Sequence, residues 1–281
     1  MTIEEFLTEW NNADTRVLVH TSGSTGKPKP LWVEKSRMLN SARITCDFLR
    51  LKAGDTALLC MPLDYIAGKM VVVRSIERNL RLINVKPSGH PLSDDSLRQA
   101  NALHEEIIFA AMVPLQVYNS LQVPQERERL RKIRQLIIGG GAIDDHLAEA
   151  LKDFPHAVWS TYGMTETLSH IALRRLNGDS ASDWYEPFDS VEVNLNTDGC
   201  LIINAPAVCS KPLVTNDRAE LQTISLSNDK HKQVCFRILG RRDNVIDSGG
   251  IKIQIEEVER ALKAHLTEEY AITSIRDKKF G

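Results

Sequence analysis

The stretch His20-Thr21-Ser22-Gly23-Ser24-Thr25-Gly26-Lys27-Pro28-Lys29-Pro30 follows directly on the apolar run Val17-Leu18-Val19. It reads as a strand that empties into a loop rich in glycine, hydroxyls and lysine. Backbone N–H groups in such a turn approach phosphate oxygens closely, Ser and Thr hydroxyls add donors, and lysine supplies positive charge. The expected ligand is a polyphosphate nucleotide. The loop is not the Walker type: only two residues separate Gly23 from Gly26-Lys27, and Pro28 stands where that motif has a magnesium-binding Ser or Thr.

Working outward, Ser160–Glu166 (STYGMTE) follows the apolar Ala157-Val158-Trp159. A hydroxyl, an aromatic ring, a glycine turn and a carboxylate are thereby presented at the end of a strand, where open α/β sheets carry their ligands. Gly139-Gly140-Gly141-Ala142 follows Gln135–Ile138. Consecutive glycines cost chain entropy, so something is expected to approach that backbone closely. Further on come Thr215-Asn216-Asp217 and the run Gly240–Glu259, GRRDNVIDSGGIKIQIEEVE.

In this order the segments resemble the adenylate-forming superfamily, which includes acyl-CoA synthetases, luciferases and peptide-synthetase adenylation domains. Its phosphate loop is T-S-G-[ST]-T-G-x-P-K-G, here with Pro30 for the last glycine, and its Y-G-x-T-E motif is matched in full. Asn216 replaces the glycine of the family's T-G-D, and Gly240–Glu259 is similar to its G-R-x-D-x-x-I-x-x-x-G-x-x-I-x-x-x-E-[IV]-E. The resemblance implies ATP, Mg2+ and coenzyme A as co-reactants. It assigns Thr21, Ser22, Gly23, Ser24, Thr25, Gly26 and Lys27 to the phosphates, and Gly140, Gly141 and Ala142 to one wall of the adenine and acyl pocket. Thr161, Tyr162 and Gly163 fall at the nucleotide, with Tyr162 stacked on adenine. Thr165 is placed at the α-phosphate and Glu166 at the magnesium ion. Asp217 and Arg241 are expected at the ribose, Asp243 at a hinge, and Gly249 and Gly250 along the pantetheine path. Lys27, Thr165 and Glu166 form the implied catalytic set.

Met61–Met70 (MPLDYIAGKM) stands where acyl-CoA ligases carry P-L-x-H-x-x-G, with Tyr65 for the usual aromatic or histidine. Together with STYGMTETLSHIALR it looks most like the o-succinylbenzoate–CoA ligases of menaquinone biosynthesis. Their substrate retains a free aromatic carboxylate. Lys69, at the start of an apolar helix, is the expected partner of that group, with Ser169 and His170 adding hydrogen bonds and Tyr65 lining the acyl site. A snorkelling surface lysine and an ordinary half-buried histidine are the alternative readings of Lys69 and His170. Beside an acid–thiol ligase stand two further readings, a carrier-loading adenylation domain and a non-catalytic nucleotide-binding module.

The expected fold is α/β. Residues 1–242 would form a large adenylation domain of parallel-rich sheets and helices with a β-rich part after about residue 190. Residues 243–281 would then supply the hinge and the start of a small α+β C-terminal domain. Ile3, Phe6, Leu7 and Trp10 predict an opening helix, and a second begins near Ser36. Runs at Thr56–Met61, Ile66–Arg78, Arg81–Val85, Ser93–Leu103 and Ile107–Val113 then alternate between strand and helix. A helix over Asp144–Lys152, a hairpin around Asn196-Thr197-Asp198-Gly199, a strand over Gln233–Leu239 and a helix over Ile255–Leu266 complete the series.

With 281 residues, 42% of them hydrophobic, the chain has enough material for a sizeable core. A net charge of −2 predicts no general attraction to nucleic acid or anionic membrane. The five cysteines are scattered without a C-x-x-C pair, which suggests reduced thiols. No basic-then-apolar leader or membrane span is evident, so the expected partners are small molecules and the expected location is cytoplasmic. Only 19 residues precede His20 and 38 follow Asp243, so the expectation is a shortened N-terminus and a C-terminal domain that continues past Gly281. The family's adenylation lysine is expected in that continuation.

Overall fold

The computed structural model describes residues 1–20, 30–97, 106–225, 232–248, 251–263, 265–266, 270, 272–273 and 275. It divides into two compact units, Met1–Ser190 with Ala205–Ser210, and Val191–Asn204 with Lys211–Gly281.

The first unit opens with α1 (Ile3–Asn11), whose start is fixed by a reciprocal cap: Thr2 Oγ1 accepts from Glu5 N–H at 3.2 Å and Glu5 returns a carboxylate to Thr2 N–H at 2.8 Å. Strands β1 (Arg16–His20) and β2 (Pro30–Glu34) pair antiparallel, with His20 opposite Pro30. Helix α2 (Lys35–Phe48) follows at once.

The main sheet holds β3 (Thr56–Leu59), β4 (Arg81–Asn84), β5 (Phe109–Met112), β6 (Gln135–Ile138), β7 (Ala157–Gly163), β8 (His170–Arg175) and β9 (Glu186–Pro187). Their order is β4-β3-β5-β6-β7-β8-β9, parallel as far as β7 and antiparallel from β7 to β9. Every residue of β3 and β5 is buried, as expected of parallel strands covered on both faces. Helix α3 (Ile66–Arg78) connects β3 to β4 and buries Met70–Ser75, ending on Asn79 in the left-handed region at φ 52°.

Two helices, α4 (Pro114–Gln122) and α5 (Pro124–Lys132), occupy the β5–β6 crossover, each beginning on a proline whose missing N–H is harmless in a first turn. The sequence reading passed over both. The expected mostly parallel sheet is present from β4 to β7, and β8 and β9 extend it with antiparallel strands. Helix α6 (Asp145–Leu151) is capped by Asp144, which accepts from Leu147 N–H at 2.8 Å, inside the expected 144–152 span. Part of the expected Ser93–Leu103 run lies outside the described residues.

The second unit contains a sheet of β10 (Glu192–Leu195), β11 (Cys200–Asn204), β12 (Leu213–Ser225) and β13 (Lys232–Arg241), antiparallel throughout. A small hairpin of β14 (Val245–Ser248) and β15 (Ile251–Gln254) leads into α7 (Ile255–Lys263). The expected turn at Asn196–Gly199 joins β10 to β11, and Asn196 Oδ1 accepts from both Asp198 and Cys200 N–H.

One buried side chain ties β7 to the loop after β8. Asn177 accepts from Val158 N–H at 3.0 Å and donates to the carbonyls of Phe154 and His156 at 2.8 and 2.7 Å. Asn177→Ala leaves these groups without partners inside protein, and the expected loss is about 2–3 kcal/mol. The urea midpoint should fall while its denaturant slope stays constant; a change under a quarter of that size would mean that water replaces the amide.

Candidate active site

Because β3, β5, β6 and β7 are parallel, their C-terminal ends lie along one edge of the sheet. The chemistry-bearing segments are the ones that leave from that edge: Met61–Gly68 after β3, Val113-Pro114 after β5, Gly139–Ala142 after β6 and Tyr162–Ser169 at the end of β7. This is the edge at which ligands enter open α/β sheets. Within it, a side chain on Gly139 would collide with Thr161 Oγ1, so these two segments touch. Gly140 takes φ +79°, and side-chain atoms of Val113 and Pro114 lie 3.5 and 3.4 Å from where Cβ atoms of Gly140 and Gly141 would be.

The Tyr162–Ser169 turn is closed by a tight approach. A Cβ on Gly163 would run into the Ser169 carbonyl and lie 2.5 Å from His170 Cα, so only glycine fits. Thr167 Oγ1 accepts from Met164 N–H at 3.0 Å and donates to the Ser169 carbonyl at 2.7 Å. Leu168 is buried at φ 64°, a conformation that a leucine holds only under strong constraint from its surroundings. Thr165 is buried and Glu166 exposed, with the Glu166 carbonyl receiving Cys209 Sγ at 3.1 Å.

Behind this turn lies a polar chain inside the core. Arg74, on α3, is 2% exposed and donates from Nη2 to Ser169 Oγ at 2.7 Å; Thr45 Oγ1, on α2, lies 3.4 Å away. His170 contacts Ser169 Oγ through Nδ1 at 3.2 Å and Thr45 Oγ1 through Nε2 at 3.0 Å, and Thr45 donates to the Ser41 carbonyl at 3.1 Å. Protons satisfy this chain when it runs in one direction, from Arg74 to Ser169, Ser169 to His170 Nδ1, His170 Nε2–H to Thr45, and Thr45 to Ser41. That assignment makes His170 neutral. Burial, and then the neighbouring Arg74 charge, push its pKa well below the usual histidine value. Burial also pulls the Arg74 guanidinium down to about 10, which still leaves it charged at neutral pH. Among the described residues no carboxylate pairs with Arg74, and its Nε has no partner.

Lys69 has a different position from the one expected. Its ammonium is buried, donates to the Leu18 carbonyl at 2.7 Å, pairs with Glu9 at 3.5 Å and lies 5.4 Å from the Phe6 ring centre. Glu9 also accepts from Leu18 N–H at 3.2 Å, so the pair fastens the outer edge of β1 to α1 and α3. Burial lowers the lysine pKa, against the raising effect of Glu9. The cation beside Ser169 and His170 is Arg74, which sequence reasoning missed. Its only signal was an arginine set directly after Met70-Val71-Val72-Val73. Tyr65 stands exposed just before α3, apart from that chain of contacts.

In the second unit, β12–β13 register sets Asp217 opposite Arg241. Arg241 lies 3.5 Å from Asp217 and makes a two-pronged pair with Asp243 at 3.0 and 2.9 Å. That hydrogen bonding holds the Asp243 carboxyl below its usual range. The expected Thr21, Ser22, Gly23, Ser24, Thr25, Gly26, Lys27, Gly249 and Gly250 lie outside the described residues. Among the described residues no group of three His, Cys, Asp or Glu side chains can hold a metal. A lone exposed Glu166 suits an ion that arrives with phosphate ligands rather than a resident metal. No helix of the described residues is long and apolar enough to cross a membrane.

Residues 4–197 match the family described as AMP-binding enzyme, and the chain belongs to that family. Among curated relatives, it is 24% identical over 293 residues to the 2-succinylbenzoate–CoA ligase of a Bacillus cereus strain, an alignment covering 97% of this chain and 59% of that protein. It is 26% identical over 273 residues to the 2-succinylbenzoate–CoA ligase of Haemophilus influenzae, covering 93% of this chain and 56% of that one. The chain thus spans less than two thirds of these relatives. Among solved structures, an acyl-CoA synthetase (AMP-forming)/AMP-acid ligase II-like protein from Dyadobacter fermentans superimposes with a TM-score of 0.73 at 32% identity, covering 99% of this chain and 76% of that one. The o-succinylbenzoate CoA synthetase of Bacillus subtilis in complex with its acyl-adenylate gives 0.71 at 25% identity, covering 94% and 57%. The mixed α/β fold is that of these ligase structures.

His170 makes stability depend on pH. Below about pH 6.5 the unfolded chain takes up a proton that the folded imidazole refuses, so its contribution falls as pH drops, by roughly 1 kcal/mol per unit until the depressed folded value is reached. Urea titrations at pH 7 and 5.5 should show this loss in the parent protein and a flatter dependence in His170→Gln. Equal slopes would mean that the imidazole is already charged in the fold.

Proposed function

We propose that the chain is the nucleotide- and acid-binding portion of an AMP-forming acid–thiol ligase, and that its acid is 2-succinylbenzoate. The carboxylate oxygen attacks the α-phosphorus of ATP and pyrophosphate leaves, giving an acyl-adenylate; the thiolate of coenzyme A then attacks the acyl carbon and AMP leaves. The observations that carry this reading are the contact of Gly139 with Thr161 at the strand ends and the close approach of Gly163 to Ser169 and His170, with Ser169 held by a hydrogen bond from the buried Arg74. One side of that turn suits a nucleotide, the other a negatively charged acid.

In this reading Tyr162 stacks on adenine against the backbone of Gly140 and Gly141, with Ala142, Thr161 and Gly163 around it. Thr165 hydrogen-bonds the α-phosphate, and Thr21–Lys27 receives the remaining phosphates. Magnesium, carried in by ATP, would neutralise phosphate charge beside Glu166. Asp217 and Arg241 hold the ribose hydroxyls, Asp243 serves as the hinge, and Gly249 and Gly250 line the pantetheine path. Arg74, acting through the half-exposed Ser169, supplies the positive potential for the second carboxylate of the diacid. Lys69 is assigned to holding α1 and β1 in place. Phosphoryl-transfer catalysis consists mainly of positioning and charge neutralisation, which suits these groups. A soluble cytoplasmic setting, where ATP and coenzyme A are supplied, accords with this chemistry.

The names of the relatives support the acid, and a binding experiment on this chain tests it. Titration calorimetry should show the sulfamate analogue of 2-succinylbenzoyl-adenylate binding at least ~10-fold more tightly than an analogue lacking the free aromatic carboxylate, the scale of one charge-assisted hydrogen bond. Arg74→Met should erase that preference while leaving AMP affinity unchanged, and Lys69→Met should lower thermal stability without touching it. Equal affinity for the two analogues would overturn the diacid; failure to bind AMP or either analogue would overturn the ligase reading.

A further inference from the structure

Gln116, in the first turn of α4, is buried, and both ends of its amide are engaged. Its Oε1 accepts from Val113 N–H at 3.2 Å, and its Nε2 donates to the carbonyls of Cys60 at 3.1 Å and Ser88 at 3.0 Å. Cys60 directly follows β3, Ser88 lies beyond the end of β4, and Val113 directly follows β5. One side chain therefore joins the exits of three parallel strands at the edge where the candidate site lies. An amide suits the place because it supplies an acceptor and two donors without carrying charge.

What Gln116 holds is the backing of the glycine turn after β6. Gly139 N–H donates to the Met112 carbonyl at 3.0 Å, and the next residue on that strand exit is Val113. Val113 Cγ1 lies 3.5 Å from where a Cβ of Gly140 would be, and Pro114 Cγ lies 3.4 Å from where one of Gly141 would be. Gly140 and Gly141 are themselves exposed. The turn thus rests on Val113 and Pro114 and still presents backbone to solvent. Having no side chains of its own to pack, it takes its position from the residues behind it.

We infer that Gln116 is a positioning residue for the nucleotide base: by fixing Val113 and Pro114 it fixes the glycine backbone against which adenine is placed. The inference rests on the assignment of Gly140 and Gly141 to the base in the proposed function. A surface ordered before the ligand arrives spares ordering entropy on binding, so the effect falls on affinity for the base and not on the phosphates. Gln116 touches no reacting atom and acts through the residues it holds.

Titration calorimetry with AMP tests this on the full chain and on the variants Gln116→Met, Val113→Ala and the two combined. Gln116→Met has a side chain of similar length that cannot make these hydrogen bonds, and it should weaken AMP binding about threefold or more, as should Val113→Ala. The combined variant should lose no more than the weaker-binding single one, because both changes release the same backing. Inorganic pyrophosphate, titrated separately, should bind every variant as it binds the parent. Hydrogen exchange needs no variant: AMP should slow exchange at the Val113 amide, which Gln116 holds, together with Gly139–Ala142. Parent-like AMP affinity in Gln116→Met, with a lowered urea midpoint, would make Gln116 a merely structural residue. Additive losses in the combined variant, protection confined to the glycine turn, or an equal loss for pyrophosphate would each overturn the inference and leave the base assignment standing. AMP binding to the parent without any protection of Gly139–Ala142 would overturn the base assignment, and the inference with it.

Discussion

Gly163 presses its backbone against the Ser169 carbonyl and His170 Cα more closely than any side chain permits. On that contact depends the turn that leaves β7 with Tyr162, passes Thr165 and Glu166, and returns into β8 at Ser169 and His170. The return forces Leu168 into positive φ, and the Thr167 hydroxyl bridges the turn's two ends. Backbone strain of this kind costs on the order of 1–3 kcal/mol and persists only where the surroundings over-determine it. Here it brings an exposed carboxylate to one side of a turn and a buried cation to the other.

Arg74 and Lys69, both on α3, show how differently two buried cations can be accommodated. Lys69 meets Glu9 and a backbone carbonyl, so its charge is balanced within the protein. Arg74 meets neutral oxygens only among the described residues, and removing an ion from water without a counter-charge carries a penalty of several kcal/mol. A neutral His170 keeps that penalty from growing, since a second cation beside Arg74 would add repulsion. Departures from local stability rules gather where a fold serves a ligand, which is why the unbalanced cation, not the balanced one, was assigned to the acid.

Much of this arrangement was legible in the residues. Asp144, Asn196–Gly199 and the Ile66–Arg78 periodicity mark elements through local chemistry, and the structure has them there. The glycine and hydroxyl segments were recognisable because sites at strand ends need backbone approach and donors together. What escaped depended on distant partners. Lys69 and Arg74 both stand beside the same run of valines, and only Glu9, far away in sequence, distinguishes the balanced charge from the unbalanced one. Helix α5 was hidden by its charge-rich PQERERLRK, which buries just Glu126 and Leu130. The antiparallel turn into β8 follows from the Gly163 contact, which no periodicity encodes.

The central claim is that the nucleotide base lies between the glycine turn after β6 and Tyr162, near the end of β7. Photolabelling with 8-azido-AMP, followed by proteolysis and peptide mapping, tests it on the unaltered protein. The account predicts that unlabelled AMP suppresses covalent label on the peptides carrying Gly139–Ala142 and Tyr162. Label confined to other peptides and equally suppressed by AMP would contradict it.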